Sequence, residues 1–345
     1  MSNFPEAIVL AHISDLHFGE VLANNLFSFR SRTFHYPPHD FTLCLDFPNA
    51  LEYIRAELLE LSDEEIINVV LSGDMSATGL GTEFAVGHSL LRSQLRIKRE
   101  GLGRYAGLSL LNDQIAAVPG NHDHFNGLRF LRRPRAYTPS ILPTHFRRTP
   151  WVKQWLSSSG NVTLEIHGID SNSGLAPKRT NFRAKGSFST TELEDLKANL
   201  ERSKNRKTEP GIIRVRALVT HHSLMYAGFG AVVGAVELDD VSRDALLQIA
   251  TKYKIGVIMT GHTHDSDFHP HPVVDPDGIM NEVWEIRSAT TFQGPAQPNK
   301  QGFWCDVVWL SDVGPRWYGW RFNWAASRFE IRRPKPDVDI LLPTV

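Results

Sequence analysis

Five short apolar runs along this chain each stop abruptly at a small knot of aspartate, asparagine or histidine. AIVLAHI (residues 7–13) runs into Ser14-Asp15-Leu16-His17, and IINVVL (66–71) into Ser72-Gly73-Asp74. QIAAVP (114–119) leads to Gly120-Asn121-His122-Asp123, VRALVT (215–220) to His221-His222, and IGVIMT (255–260) to Gly261-His262-Thr263-His264. Continuous apolar runs without strict alternation suit strands covered on both faces. Helical spacing of apolar residues separates several of them, in residues 47–61, 82–98 and 241–253, and Ser189-Thr-Thr-Glu192 is a capping-box start for a helix to about residue 203. Strand and helix alternation predicts a layered α/β domain. In open α/β sheets, sites collect beyond the carboxyl ends of strands, which is where all five knots lie.

After residue 272 the pattern changes. VWEIRSATT, FWCDVVWL and RWYGWRFNW are aromatic-rich strand candidates with turn signals between them, read as antiparallel strands that complete a second sheet. Their tryptophans and phenylalanines are most simply packing residues. Residues 326–345 read as a loosely packed tail in which Ile340 to Leu342 could dock. Two long segments, 20–45 and 125–160, stand off this scaffold as inserted loops. The second carries Arg129, Arg132, Arg133, Arg135, Arg147 and Arg148, and is either a lid or a plain solvated excursion. The glycine-rich segment 223–240 is a third place where selectivity could lie.

The totals exclude several classes. With 41% hydrophobic and 22% charged residues the chain is not a wholly disordered one. A formal net charge of −1 gives no global field toward nucleic acid or anionic membrane, so binding there would need a local patch. Two cysteines, Cys44 and Cys305, make neither a disulfide framework nor a thiolate zinc site. The start MSNFPE lacks a basic n-region, and no apolar run approaches the ~20 residues of a membrane span. The expectation is a cytoplasmic protein with no membrane span.

In extended chain, side chains at i and i+2 point to one side, so Asp15 and His17 could grip one ion together. Singly, each knot reads as well as a solvated loop; all five in order do not. Together they resemble the calcineurin-like metallophosphoesterases, whose blocks run Asp-x-His, Gly-Asp, Gly-Asn-His-(Asp/Glu), a later His, then Gly-His-x-His. The resemblance covers residues 8 to about 310, and HISDLHF with the doubled His221-His222 is most similar to the cyclic-nucleotide and glycerophosphodiester phosphodiesterase branch. It implies a β-sandwich of two mixed sheets flanked by helices (α/β/β/α), with residues 1–325 as one catalytic domain.

It also implies two divalent metal ions. One would be held by Asp15, His17, Asp74 and His264, the other by Asp74, Asn121, His221 and His262. Imidazole, carboxylate and carboxamide together suit Mn, Fe or Zn rather than calcium. The implied activity is hydrolysis of a small phosphodiester, with nucleotides among the candidates, through a metal-bridging hydroxide. His122 would assist the leaving oxygen, and Asp123 beside it would orient and charge that imidazole. His222 is expected behind His221, while His124, His269 and His271 read as surface residues more than site residues, and Asp265 or Asp267 could fix ligand tautomers. A phosphomonoesterase, a nuclease drawn by the arginine cluster, and a non-catalytic metal-stabilised module are the alternatives. Nucleic acid is the less favoured partner, because the overall charge does not support it.

Overall fold

The computed structural model describes residues 7–19, 41–61, 66–92, 95–99, 102–124, 148–174, 185–206, 209–225, 237–275, 278–293, 301–325, 328–331 and 335–345. Two sheets dominate. The first runs β14 (Arg328–Ile331), β13 (Gly314–Ala325), β12 (Phe303–Ser311), β1 (Ile8–Ile13), β2 (Ile67–Leu71) and β5 (Ile115–Ala117), with β15 (Val338–Leu341) also on β13. The second runs β10 (Asp267–Val274), β11 (Met280–Arg287), β9 (Ile255–Thr260), β8 (Ile213–Val219), β7 (Val162–Gly168) and β6 (Trp151–Leu156). A separate hairpin joins β3 (Leu95–Arg99) to β4 (Leu102–Ala106).

Pairing is parallel along β1-β2-β5 and along β7-β8-β9-β11, and antiparallel at β12, β13, β6 and β10. Both sheets are therefore mixed, and their parallel strands lead toward the five knots.

Three apolar layers explain why the central strands are apolar on both faces. From β1, Ile8 and Leu10 join the core between the sheets with Trp304, Trp317, Val219 and Met259. Val9, Ala11 and Ile13 face outward onto a second core with Phe47, Ala50, Phe84 and Leu90, from the helices Phe47–Tyr53 and Gly81–Arg92. A third core lies against the helices Thr190–Lys204 and Asp240–Lys252, through Leu196, Leu200, Leu246 and Ile249. The order helix, sheet, sheet, helix is the α/β/β/α sandwich anticipated. Ser189 and Asp239 cap those two helices, accepting from Glu192 N and Ser242 N.

The differences from the sequence reading have local causes. The helix anticipated over 82–98 stops at Arg92, because LRIKR pairs with Leu102–Ala106 as β3. The late aromatic strands divide between the sheets: β12 and β13 extend the first one beside β1, and β11 lies parallel to β9 in the second. The tail is tied down, with β14 and β15 both on β13 and Val338, Ile340 and Leu342 buried between the sheets.

Of the inserted segments, 20–40, 125–147 and 226–236 lie outside the described residues, and with them Arg129, Arg132, Arg133, Arg135 and Arg147. The remainder is built in: Leu43 and Cys44 are buried in a 3-10 turn, and residues 151–156 form β6 with strictly alternating burial.

The flanks of the sandwich are closed in two ways. The inward side chains of β6 reach across to the short β5 segment, where Trp151 Nε1 donates to Ala117 O at 3.0 Å, Trp155 Nε1 to Asp113 O at 2.6 Å and Lys153 Nζ to Asn112 O. At the opposite edge, β10 carries Pro270 and Pro272 in alternate positions.

One buried carboxyl sits in the middle of this packing. Asp306 of β12 shares the face of Trp304 and Val308 and accepts from Trp317 Nε1 at 2.9 Å, and its Oδ2 has no hydrogen-bond partner among the described residues. Burial pushes its pKa up to about 8, against the opposing donation from Trp317. A folded-state pKa above the unfolded value means that the native state holds the proton more tightly, so stability falls as pH rises from about 4 to about 8 and then levels. Asp306→Asn keeps the acceptor for Trp317 and removes the ionisation. Melting temperatures between pH 6 and pH 9 should therefore decline less in the variant than in the wild type.

Candidate metal centre

The ladders of the first sheet continue past the strand ends and carry the knots with them. Ser72 N donates to Ile13 O, Asp15 N to Gly73 O, His17 N to Asp74 O and Val118 N to Leu71 O. The second sheet does the same, Thr220 N donating to Met259 O and Gly261 N to His221 O. The two rims are then stitched together. His262 N donates to Asp15 Oδ2 at 2.9 Å, His221 Nδ1 to Ser72 O at 2.8 Å, and Thr291 N to Ser14 O at 3.1 Å.

The i, i+2 delivery of ligands has a different basis from the extended chain anticipated. Asp15, His17, Asp74, His262 and His264 all have left-handed backbone, with φ of 52°, 45°, 53°, 69° and 57°. Such conformations cost about 1 kcal/mol or more per residue outside glycine, and they are tolerated best by Asn, Asp and His. Both double knots thus turn sharply at each ligand and leave the intervening Leu16 and Thr263 pointing elsewhere.

Glycines of three knots are fixed by space. A Cβ on Gly120 would lie 2.0 Å from Asp74 Oδ1, one on Gly73 2.4 Å from His221 Nδ1, and one on Gly261 1.8 Å from Ser14 Oγ.

These constraints bring the residues singled out from sequence into one buried cluster. Asp15 Oδ1 lies 3.6 Å from His17 Nε2 and 3.4 Å from His264 Nε2, and those two nitrogens are 3.4 Å apart. Asp74 Oδ2 lies 3.3 Å from His221 Nε2, 3.9 Å from His17 Nε2 and 4.0 Å from His122 Nε2. His221 Nε2 also faces Asn121 Oδ1 at 3.0 Å and His262 Nδ1 at 3.1 Å. Three overlapping groups have the spacing to hold an ion: Asp15, His17 and His264; His17, Asp74 and His122; Asp74, His221 and His262.

The donor chemistry fits a divalent cation. With His221 Nδ1 donating to Ser72 O, Nε2 is the atom turned toward the oxygens of Asn121 and Asp74, and loss of its own proton would leave a lone pair there for a cation. Lone pairs converging at such distances repel unless a cation stands among them. Each carboxylate is steadied on one oxygen and turned inward with the other. Asp15 Oδ2 accepts from Ser14 Oγ at 2.6 Å and His262 N, and Asp74 Oδ1 accepts from His122 N at 2.8 Å.

The electrostatics show the demand for positive charge in this cluster. Burial opposes charge on both carboxylates, but His264 and His17 hold Asp15, and His221 and His122 hold Asp74, below the usual carboxylate range. Burial likewise opposes charge on His221, yet Asp74 overrides it and lifts the imidazole to about 9. Burial and the neighbouring His221 push His262 down.

His122 stands on the open side. Its side chain is 28% exposed, its Nδ1 is 2.9 Å from Ala77 O, and its ring meets His17 edge-on at 4.5 Å. Asp123 is not its partner, which corrects the expectation. Its carboxylate accepts from Met75 N, Ser76 N, Ser76 Oγ and Gly120 N at 2.7–3.3 Å, because successive side chains of the tight 122–124 turn diverge. Burial and the nearby Asp74 raise its pKa to about 6 despite those donors. His222 lies behind the cluster, its Nδ1 2.7 Å from Ser171 Oγ and its ring 4.4 Å from that of His262.

Two of the three histidines read as surface residues are buried: His124 beside Asp170, and His271 with Nε2 3.0 Å from Glu285 Oε2. Asp267 pairs with Arg287 at 2.7 Å rather than with an imidazole of the centre. What the sequence reading missed is a sixth knot. Asp170-Ser171-Asn172 follows β7 in GIDSNSG, and its signal is a strand of alternating apolar and polar residues, VTLEI, leading to Asp-Ser-Asn.

A family model described as calcineurin-like phosphoesterase matches residues 8–266. None of the curated proteins matches the chain. Among solved structures the chain is similar to GAP50, the anchor in the inner membrane complex of Plasmodium, at 11% identity and a TM-score of 0.49, over 98% of this chain and 89% of that one. It is similar to purple acid phosphatase PPD1 from yellow lupin (Lupinus luteus) at 13% identity and a TM-score of 0.47, over 93% of this chain and 53% of that one. It is also similar to phosphopantetheinyl hydrolase (PptH) from Mycobacterium tuberculosis at 14% identity and a TM-score of 0.33, over 82% and 90%.

Gly120→Ala tests the spacing directly. The added methyl must displace the Asp74 carboxylate, so metal bound per chain, measured by elemental analysis after manganese loading, should drop while far-ultraviolet dichroism stays unchanged.

Proposed function

The chain belongs to the calcineurin-like phosphoesterase family, and on that premise we propose that it is a dinuclear-metal phosphodiesterase acting on a small substrate, with nucleotides among the candidates. The observation that carries this reading is the position of Asp74, whose Oδ2 faces His221 on one side and His17 on the other. In the proposal Asp15, His17, Asp74 and His264 hold one ion, and Asp74, Asn121, His221 and His262 hold the second. Bound there, two such ions would supply Lewis acidity toward the phosphoryl oxygens and would lower the pKa of a water toward ~7. Mn, Fe and Zn all suit these ligands.

The chain's own residues do the rest. The Ala77 carbonyl occupies His122 Nδ1 and so directs Nε2 toward the open side of the centre. As imidazolium, His122 gives its Nε2 proton to the leaving oxygen as a water oxygen bonds to phosphorus and the bond from phosphorus to the leaving oxygen breaks. An alcohol leaving group, in a diester or a monoester, needs that proton most. Asp123 acts one step back, by fixing the turn against residues 75 and 76. Residues 1–325, together with the two strands that follow them, are read as one catalytic unit. No described helix is long and apolar enough to cross a membrane, and with only two cysteines, both buried, the proposed setting is the cytoplasm.

Hydrolysis of bis(p-nitrophenyl) phosphate should be abolished by chelation and restored by added manganese. Asp74→Ala should lose both metal and activity. On ethyl phenyl phosphate, whose leaving oxygen needs a proton, His122→Ala should lower kcat about 10²–10⁴-fold with metal content unchanged. A folded, metal-loaded protein inert toward diesters, monoesters and DNA alike would instead be a non-catalytic module.

A further inference from the structure

The turn that carries His122 is held from two sides. Asp123 ties it to the first sheet, as described above. On the other side His124, the last residue of the turn, is buried with its Nε2 3.1 Å from Asp170 Oδ2. Asp170 belongs to the sixth knot, beyond β7 of the second sheet, and is itself well fixed. Its Oδ1 accepts from Asn172 N at 2.8 Å and Asn172 Nδ2 at 3.0 Å, and its own N donates to Glu192 Oε1 at 2.9 Å. Glu192 in turn lies in the first turn of the helix Thr190–Lys204, whose cap Ser189 accepts from Glu192 N. A rigid line thus runs from that helix through Asp170 to His124, two residues from the imidazole that faces the substrate side.

We infer that His124 and Asp170 are a positioning pair for His122, setting how far its turn stands from the second sheet and hence the reach of Nε2 to the leaving oxygen. Neither belongs to the groups with metal-ligand spacing. The other ties of the turn, through Asp123, His122 N and His122 Nδ1, run to residues 74–77 and 120 on the first-sheet side. Without His124 its far end would tilt away from the second sheet, and proton transfer tolerates displacements of only about 0.5 Å. A misplacement of about 1 Å costs on the order of 100-fold in rate. The inference rests on the phosphodiesterase reading, since it assigns the pair a role in that reaction.

Leaving-group dependence separates positioning of an acid from general damage. Ethyl p-nitrophenyl phosphate departs with little need of a proton, whereas ethyl phenyl phosphate needs one. With manganese-loaded protein, His124→Ala and Asp170→Ala should each lower kcat for the phenyl ester about 10–100-fold, and for the nitrophenyl ester by less than about 3-fold. Bound metal should be unchanged, the double variant no worse than either single one, and His124→Gln, which keeps a donor toward Asp170, should recover most of the loss. If either alanine variant does not fold, the isosteric Asp170→Asn carries the same comparison. Equal losses on both esters, or loss of bound metal, would overturn the pair's role. A wild-type protein inert to both esters would overturn the phosphodiesterase reading, and the inference with it.

Discussion

The carboxylate of Asp74 is where the two sheets of this protein meet electrically. It sits at the end of a first-sheet strand, yet its nearest imidazole, His221, belongs to the second sheet. A buried carboxylate is costly unless it is paired, and here the pairing groups are imidazoles that face one another as closely as they face the acid. That donor set is one a divalent cation would complete. That single requirement accounts for much of the surrounding sequence: glycines at 73 and 120 because the carboxylate and His221 need the space, and a bond from His122 N because the second oxygen must not swing.

What could be seen in the sequence were the residue types that the chemistry cannot replace. Aspartate, asparagine and histidine at strand ends announce themselves, and all seven proposed ligands lie in the cluster that the fold assembles. The backbone that presents them was not visible, because alternation at i and i+2 arises equally from extended chain and from left-handed turns at each ligand. Asp123 was misread for a related reason. Adjacency in sequence suggested a pair with His122, whereas a 3-10 turn sends consecutive side chains apart.

The sixth knot escaped notice because it contains no histidine, and the buried His124 because its partner Asp170 is 46 positions away on the other sheet. The hairpin at β3 and β4 was hidden by apolar residues that satisfy helical spacing as well as they satisfy a strand. The strands of the tail were hidden by prolines and charges that look like solvent-facing chain.

The same two-sheet origin makes the centre a reporter of the sandwich as a whole. Trp304, Trp317, Leu10 and Met259 set the spacing of the layers, and the bond from His262 N to Asp15 fixes their rims relative to one another. Packing changes far from the knots would alter the distance between His17 and His264 through that spacing. The ligands are therefore held by the fold, not by a local loop that could be transplanted.

The prolines of β10 have a consequence of another kind. Proline is tolerated in a strand only where the ladder does not need its missing N–H, and Pro270 and Pro272 occupy alternate positions of an outermost strand. A second polypeptide approaching that rim would find too few donors to zip onto it. Self-association into swapped or fibrillar assemblies is thereby discouraged along that strand.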